Sequence, residues 1–225
     1  MGLQSRTAFD DVLIRALSSE GKSEPAINRL VAQTVESLGI RGELVVDVGC
    51  GQGNLWPGMR TRFTRCIGVD AARYPGLPQD VELCEAQLDS PIPLTDSVAD
   101  LVVCAETIEH LENPRALMRE LARLAKSNGW LIVTTPNQLS LSSIMTLIAK
   151  QRFEYFQDVH YPAHITALLE VDLLRMAAEC GLEESTIRYT MSGRIPFTAR
   201  HFPLFLSRAF PRALSDNVLL AARKV

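Results

Sequence analysis

The sequence contains no run of eighteen or more apolar residues, so no segment is expected to cross a membrane as a helix. It also lacks any C-x-x-C pair. The five cysteines, Cys50, Cys66, Cys84, Cys104 and Cys180, are odd in number and far apart, which gives no sign of a disulfide framework. Four lie in or beside apolar runs and read as reduced core thiols of a cytoplasmic protein. Strong charge of either sign is missing too. With 23 Lys and Arg against 26 Asp and Glu, the formal charge is −3 and the pI about 5.8. No global positive field is present to hold a polyanion, so general nucleic-acid binding is not expected. Met1 to Asp10 lacks the basic-then-apolar pattern of a signal peptide. There is no internal repeat and no low-complexity stretch.

What is present is an ordinary globular composition, 47% apolar and 22% charged, over 225 residues, enough for one α/β domain with a full core. Glu24 to Leu38 reads as an amphipathic helix, with Ile27, Val31 and Val35 at helical spacing and Gly39 where a cap glycine belongs. Short apolar runs predict buried strands at 43–49, 66–70, 81–84, 99–104 and 130–135. Helices are predicted at 55–60 and from Pro114 to a stop at Asn128-Gly129. The alternation implies a mostly parallel sheet with helices on both faces. Further helices are predicted at 139–149, as core or acceptor-pocket wall, and at 168–180. Final strands at 186–191 and 218–222 complete a seven-stranded sheet as a hairpin-like pair.

The strongest local signal is Val48-Gly49-Cys50-Gly51-Gln52-Gly53, a strand end followed by a glycine loop. Three glycines permit a tight turn and close backbone approach to a ligand. A dinucleotide site would show G-x-G-x-x-G, with a pyrophosphate at the helix start. Here the spacing is G-x-G-x-G, and Asp47 stands two residues before the first glycine. An acid there repels a pyrophosphate and suits an ammonium or sulfonium charge.

This segment resembles the first motif of the Rossmann-like S-adenosylmethionine-dependent methyltransferases, and the resemblance runs through most of the chain. Gly68-Val69-Asp70 is similar to that family's second strand, whose terminal acid holds the two ribose hydroxyls of the cofactor; a carboxylate suits that task. Residues 96–106, 129–137 and 219–224 are similar to its fourth, fifth and last strands. The resemblance implies a Rossmann-like fold. It assigns cofactor binding to Asp47, Gly49, Cys50, Gly51, Gly53, Asp70, Ala71, Gln87, Leu88 and Glu106. Gln87 stands where the family often has an acid beside the adenine amino group, with Asp89 two residues on. The expected organisation is one domain over 1–225: N-terminal helices in 1–41, a cofactor-binding half in 42–137, and an acceptor-side half in 138–225 with an insertion at 194–215.

Glu106-Thr107-Ile108-Glu109-His110 follows the fourth strand. On a helical turn, positions 106, 109 and 110 share a face. The sequence resembles the ubiquinone-pathway O-methyltransferases and, more remotely, the small-RNA 3′-end methyltransferases. In both, E-x-x-E-H is linked to a divalent metal. That implies Glu106, Glu109 and His110 as ligands for Mg²⁺, Mn²⁺ or Zn²⁺. The alternative is that Glu106 borders the methionine part of the cofactor while His110 bonds nearby backbone. His110, His160 and His164 are the candidate bases, since imidazole titrates near neutral pH.

Residues 194–212 hold four arginines, no acid and several aromatics. They suit a lid or packing face, or contact with an anionic membrane or lipid-linked substrate. The expected function is methyl transfer to a small-molecule acceptor, with oxygen favoured. A cofactor-binding scaffold without catalysis is the alternative from another class; RNA methylation is a third reading. The oligomeric state is not legible.

Overall fold

The computed structural model describes residue 21 and residues 24–225; the part of the expected N-terminal helical region before residue 21 lies outside the described residues. Seven strands form one sheet: β1 (Gly42–Val48), β2 (Phe63–Asp70), β3 (Val81–Glu85), β4 (Ala99–Ala105), β5 (Ala125–Pro136), β6 (Leu182–Tyr189) and β7 (Asn217–Lys224). Their order is β3-β2-β1-β4-β5-β7-β6. β1 to β5 are parallel, and β7 runs antiparallel to both of its neighbours. This is a Rossmann-like α/β fold. The order reverses between β1 and β4, and the crevice beyond the carboxyl ends of those strands is where such sheets hold ligands.

Both sheet faces are covered, which is why the strands read as unbroken apolar runs rather than as alternations. On one face Val45, Leu101 and Val103 meet Ile27, Val31 and Val35 of α1 (Pro25–Ser37). Trp56 and Met59 of the short α2 (Trp56–Met59) join them. On the other face Val46, Val102 and Val133 pack with Leu117 and Leu121 of α3 (Pro114–Leu124). α5 (Glu170–Glu179) adds Leu173 and Met176 to that layer.

Three boundaries differ from the sequence pattern. α3 stops at Leu124 instead of continuing to Asn128. Lys224 donates to the carbonyls of Ala122 and Ala125 at 2.8 and 2.9 Å, so a strand from the far end of the chain satisfies the end of this helix. β5 therefore starts early, and its pairing with β4 slips from Ala99↔Ala125 to Leu101↔Trp130 across an irregularity. Asn128 adopts a left-handed φ of 66° within it. β6 runs over 182–189 instead of 186–191, because its exposed start, Glu183 to Ser185, carries no apolar signal at the sheet edge.

A further difference, in burial, concerns α4 (Leu141–Lys150), expected as core or pocket wall. Ser142, Ser143 and Thr146 are its buried residues. Ile144, Met145, Leu147 and Ile148 are exposed, Ile148 to 78%. The polar side is anchored by Thr146 donating to Glu154 Oε2 at 2.5 Å and by Ser143 bonding Gln138 and the Glu154 amide. The last helix, α6 (Leu204–Ala209), lies in the arginine-rich segment.

Candidate active site

The glycine loop follows β1 directly. Gly49 and Cys50 donate to the Val69 carbonyl at 2.7 and 3.2 Å, tying the loop to β2. Gly49 has φ 76°, and a side chain there would collide with Thr107, whose hydroxyl donates to Ala105. Gly51 has φ 50° and lies against the backbone of Gly21. Glycine is thus required at both positions by conformation and by space.

Asp70 ends β2 with its carboxylate among backbone amides: Oδ2 accepts from Gly51 at 2.9 Å and Oδ1 from Ala71 at 2.7 Å. Burial raises its pKa and those amides oppose the rise. Asp47 is buried at the end of β1. Burial and the Asp70 charge push its carboxyl up to about 7. Ala86 donates to the Asp70 carbonyl at 2.9 Å, bringing the loop with Gln87 and Leu88 beside the end of β2. Cys50 is buried, and burial and the two aspartates hold its thiol protonated.

The chain leaves β4 through Glu106, whose φ is 51°. Its Oε1 accepts from Thr134 Oγ1 at 2.8 Å and its Oε2 from Asn217 Nδ2 at 2.7 Å, which binds the ends of β4, β5 and β7 together. Burial pushes its pKa well up. A single 3₁₀ turn, Ile108–His110, follows. Glu109 is fully buried; its Oε2 accepts from Thr135 Oγ1 at 3.3 Å, whereas Oε1 has no hydrogen-bond partner among the described residues. Burial raises it to about 8. The Glu109 carbonyl accepts from Ile165 and Thr166 at 3.1 and 3.0 Å, which fastens the 163–166 segment to this turn.

That fastening brings the three candidate histidines together. His110 Nδ1 lies 2.9 Å from the Ala163 carbonyl and His164 Nδ1 2.8 Å from the Tyr155 carbonyl. A carbonyl only accepts, so each ring donates from Nδ1, and in its neutral form the lone pair is on Nε2. The His110 and His164 ring centres are 4.8 Å apart, and His160 stacks on His164 at 5.7 Å. Burial, with the charge of His110, depresses His164 to about 4, and burial lowers His160. One ligand atom each from Glu109, His110 and His164 lies within 4.8 Å of the others. The Glu106 carboxylate, which the sequence grouped with Glu109 and His110, is engaged by Thr134 and Asn217 instead. His164, a candidate base in the sequence but not a candidate ligand, stands in the cluster; 53 residues separate Ala163 from His110, so spacing did not group them.

A family described as a methyltransferase domain matches residues 21–186, which span the glycine loop, Asp70 and the histidine cluster. The chain belongs to this methyltransferase family. Among curated proteins, the ubiquinone biosynthesis O-methyltransferase of Aeromonas salmonicida is 28% identical over 187 residues, covering 77% of this chain and 79% of that one. The protein of the same name from Alkalilimnicola ehrlichii is 31% identical over 160 residues, with 64% and 63% covered. A SAM-dependent methyltransferase structure from Archaeoglobus fulgidus superposes with a TM-score of 0.63 at 16% identity, covering 88% of this chain and 94% of that one; at that identity it speaks for the fold. The methyltransferase is therefore an S-adenosylmethionine-dependent enzyme, not a bare scaffold. Among the described residues, no helix is long and apolar enough to cross a membrane.

Proposed function

We propose that this methyltransferase acts on the hydroxyl oxygen of a small acceptor, with His110 receiving the acceptor proton during in-line displacement at the methyl carbon. The observation that carries the reading is the His110 ring, locked by the Ala163 carbonyl with its basic Nε2 on the side away from that bond. The names of the curated relatives support oxygen as the nucleophile. S-adenosylmethionine supplies an electrophilic methyl group. The loop Gly49, Cys50, Gly51 and Gly53 would hold it with Asp47 on its ammonium end and Asp70 and Ala71 on the ribose. Gln87 and Leu88 would flank the adenine, and Glu106 the methionine portion. The fit rests on backbone kept free of side chains at Gly49 and Gly51 and on two buried acids, Asp47 and Asp70, at the ends of β1 and β2, whose charge suits a cationic ligand. Alignment of acceptor and methyl is the main source of acceleration, about 7–11 kcal/mol at best.

A second reading is favoured by the orphaned Glu109 Oε1: Glu109, His110 and His164 would hold a divalent cation. One carboxylate and two imidazoles suit Mn²⁺ or Zn²⁺. A cation there lowers the pKa of a bound hydroxyl. His160, stacked on His164, is then the base nearest the cluster. The test is formation of S-adenosylhomocysteine with phenols and catechols, in chelator and with Mn²⁺, Zn²⁺ or Mg²⁺ restored. O-methylated product in chelator supports the His110 base; product only with a cation supports the metal reading. Methylation of amine or carbon nucleophiles alone overturns both.

We further infer a single methyltransferase domain acting in the cytoplasm, which the five unpaired cysteines support. Contact of residues 194–212 with an anionic membrane surface or a lipid-linked substrate is supported by the exposed Phe205 and Phe210 in the segment that also carries the exposed Arg200 and Arg212. Sedimentation with anionic vesicles tests it, and no binding at low salt removes it.

A further inference from the structure

The outer edge of the sheet carries a second concavity. Past Tyr189 the chain leaves β6, and α1 on one side and residues 202–211 on the other wall a groove of about 760 Å³. That is the size of a small-molecule site. Arg29 lines it from α1, Arg188 from β6 and Arg208 from α6, and among the described residues no Asp or Glu lines it. Leu30, Ile187, Met191 and Phe202 supply an apolar wall.

Among the described residues none of these three arginines has an ion pair. Arg188 donates to the neutral Ser37 Oγ at 2.6 Å, which uses one of its five donors. Glu170, which accepts from the hydroxyl of the lining residue Tyr189, is already held by Arg212 at 3.1 Å. Three arginines line this concavity and no acid among the described residues does, which gives it a positive potential that suits a dianion. Guanidinium forks match phosphate oxygens in pairs, and three of them exceed what the two oxygens of a carboxylate can accept bidentately. The apolar wall next to the arginines calls for a ligand that is charged at one end only. β7 and β5 separate this edge from β4 and β1, and no residue of the glycine loop or the histidine cluster lines the groove.

We propose that this groove binds a single-chain phosphate monoester, its phosphate on Arg29, Arg188 and Arg208 and its chain along Leu30, Ile187, Met191 and Phe202. The site is separate from the methyl-transfer site, and its occupancy does not depend on which acceptor the enzyme methylates. It also differs from the outward surface of the same segment: Phe205 and Phe210 are exposed and do not line it.

The test is calorimetric titration of the full chain with dodecyl phosphate below its micellar concentration, with dodecanoate and dodecyl maltoside as companions. Saturable binding of the phosphate, at least about tenfold tighter than either companion, is expected. The double variant Arg29→Gln/Arg208→Gln, both exposed positions, should weaken it at least about tenfold while keeping its affinity for S-adenosylhomocysteine. Phe205→Ser/Phe210→Ser should bind as the parent does. Absence of saturable binding, equal binding by the maltoside or dodecanoate, or an unaffected arginine variant overturns the proposal. Loss in the Phe205/Phe210 variant instead also overturns it, because the amphiphile would then be adsorbing to the outer face.

Discussion

Glu106 and Glu109 stand three residues apart, and their surroundings separate them. Glu106 spends both carboxyl oxygens on Thr134 and Asn217, whereas Glu109 keeps one buried oxygen without a partner among the described residues, beside two imidazoles. The proposed chemistry at the acceptor therefore rests on the Glu109–His110 side. His110→Gln removes the basic Nε2 while leaving an amide able to reach the Ala163 carbonyl. Turnover should fall about 10²- to 10⁴-fold, with affinity for S-adenosylhomocysteine unchanged. Steady-state kinetics beside calorimetry check this, and full turnover in the variant removes His110 from proton transfer. The spacing E-x-x-E-H predicted one helical face holding 106, 109 and 110. It misled at Glu106 because that residue takes a left-handed φ of 51° before the turn begins, and its partners come from β5 and β7. A motif read along the chain carries no information on side chains supplied by other strands. By contrast the placement of Asp47, Gly49, Gly51 and Asp70 together at the ends of β1 and β2 was legible, because a strand end, a glycine loop and the next strand end are local features.

At the level of elements, termini decide what the apolar pattern leaves open. α3 begins where Asn113 accepts from the Ala116 amide at 3.0 Å with Pro114 in the first turn, a start signal contained in four residues. Asn113→Ala should cost about 1 kcal/mol, which for a chain of this length lowers the melting temperature by about 2–4 °C. Differential scanning calorimetry reads it, and an unchanged melting temperature means that Pro114 and the packing of Leu117 and Leu121 fix the start alone. The end of α3 was misread because Lys224, a hundred residues later, caps it. α4 was misread for a related reason. Its apolar residues predicted burial, yet the partners waiting on the protein side, Gln138 and Glu154, are polar and draw Ser143 and Thr146 inward. Periodicity finds a helix and its two faces; which face turns inward depends on what the rest of the chain puts there.

Across the whole molecule, the binding crevice and the stability of the fold are linked through Asp47. Its pKa is 3.8 when the chain is unfolded and about 7 when folded. Between those values the folded chain holds a proton that the unfolded chain has lost, so this group lowers stability as pH rises through that window and has no further effect above it. Relative to Asp47→Asn, the parent should lose up to about 4 kcal/mol between pH 4 and pH 7. The difference between the two proteins cancels the titrating groups that do not interact with Asp47. The same ionisation readies the site, since a carboxylate beside a cationic amino group attracts it and a carboxylic acid does not. Affinity for S-adenosylhomocysteine should therefore fall by up to about tenfold per pH unit below 7 and level off above it. Bound ligand stabilises the folded state by mass action, so at fixed ligand concentration the rise in melting temperature should be larger at pH 8 than at pH 6. Asp47→Asn should melt higher than the parent at pH 8 without ligand and show a small, pH-independent shift with it. A ligand-induced shift of equal size at both pH values in the parent would mean that the cofactor's charge is met elsewhere. Asp47 would then be a burden on the fold without a part in binding.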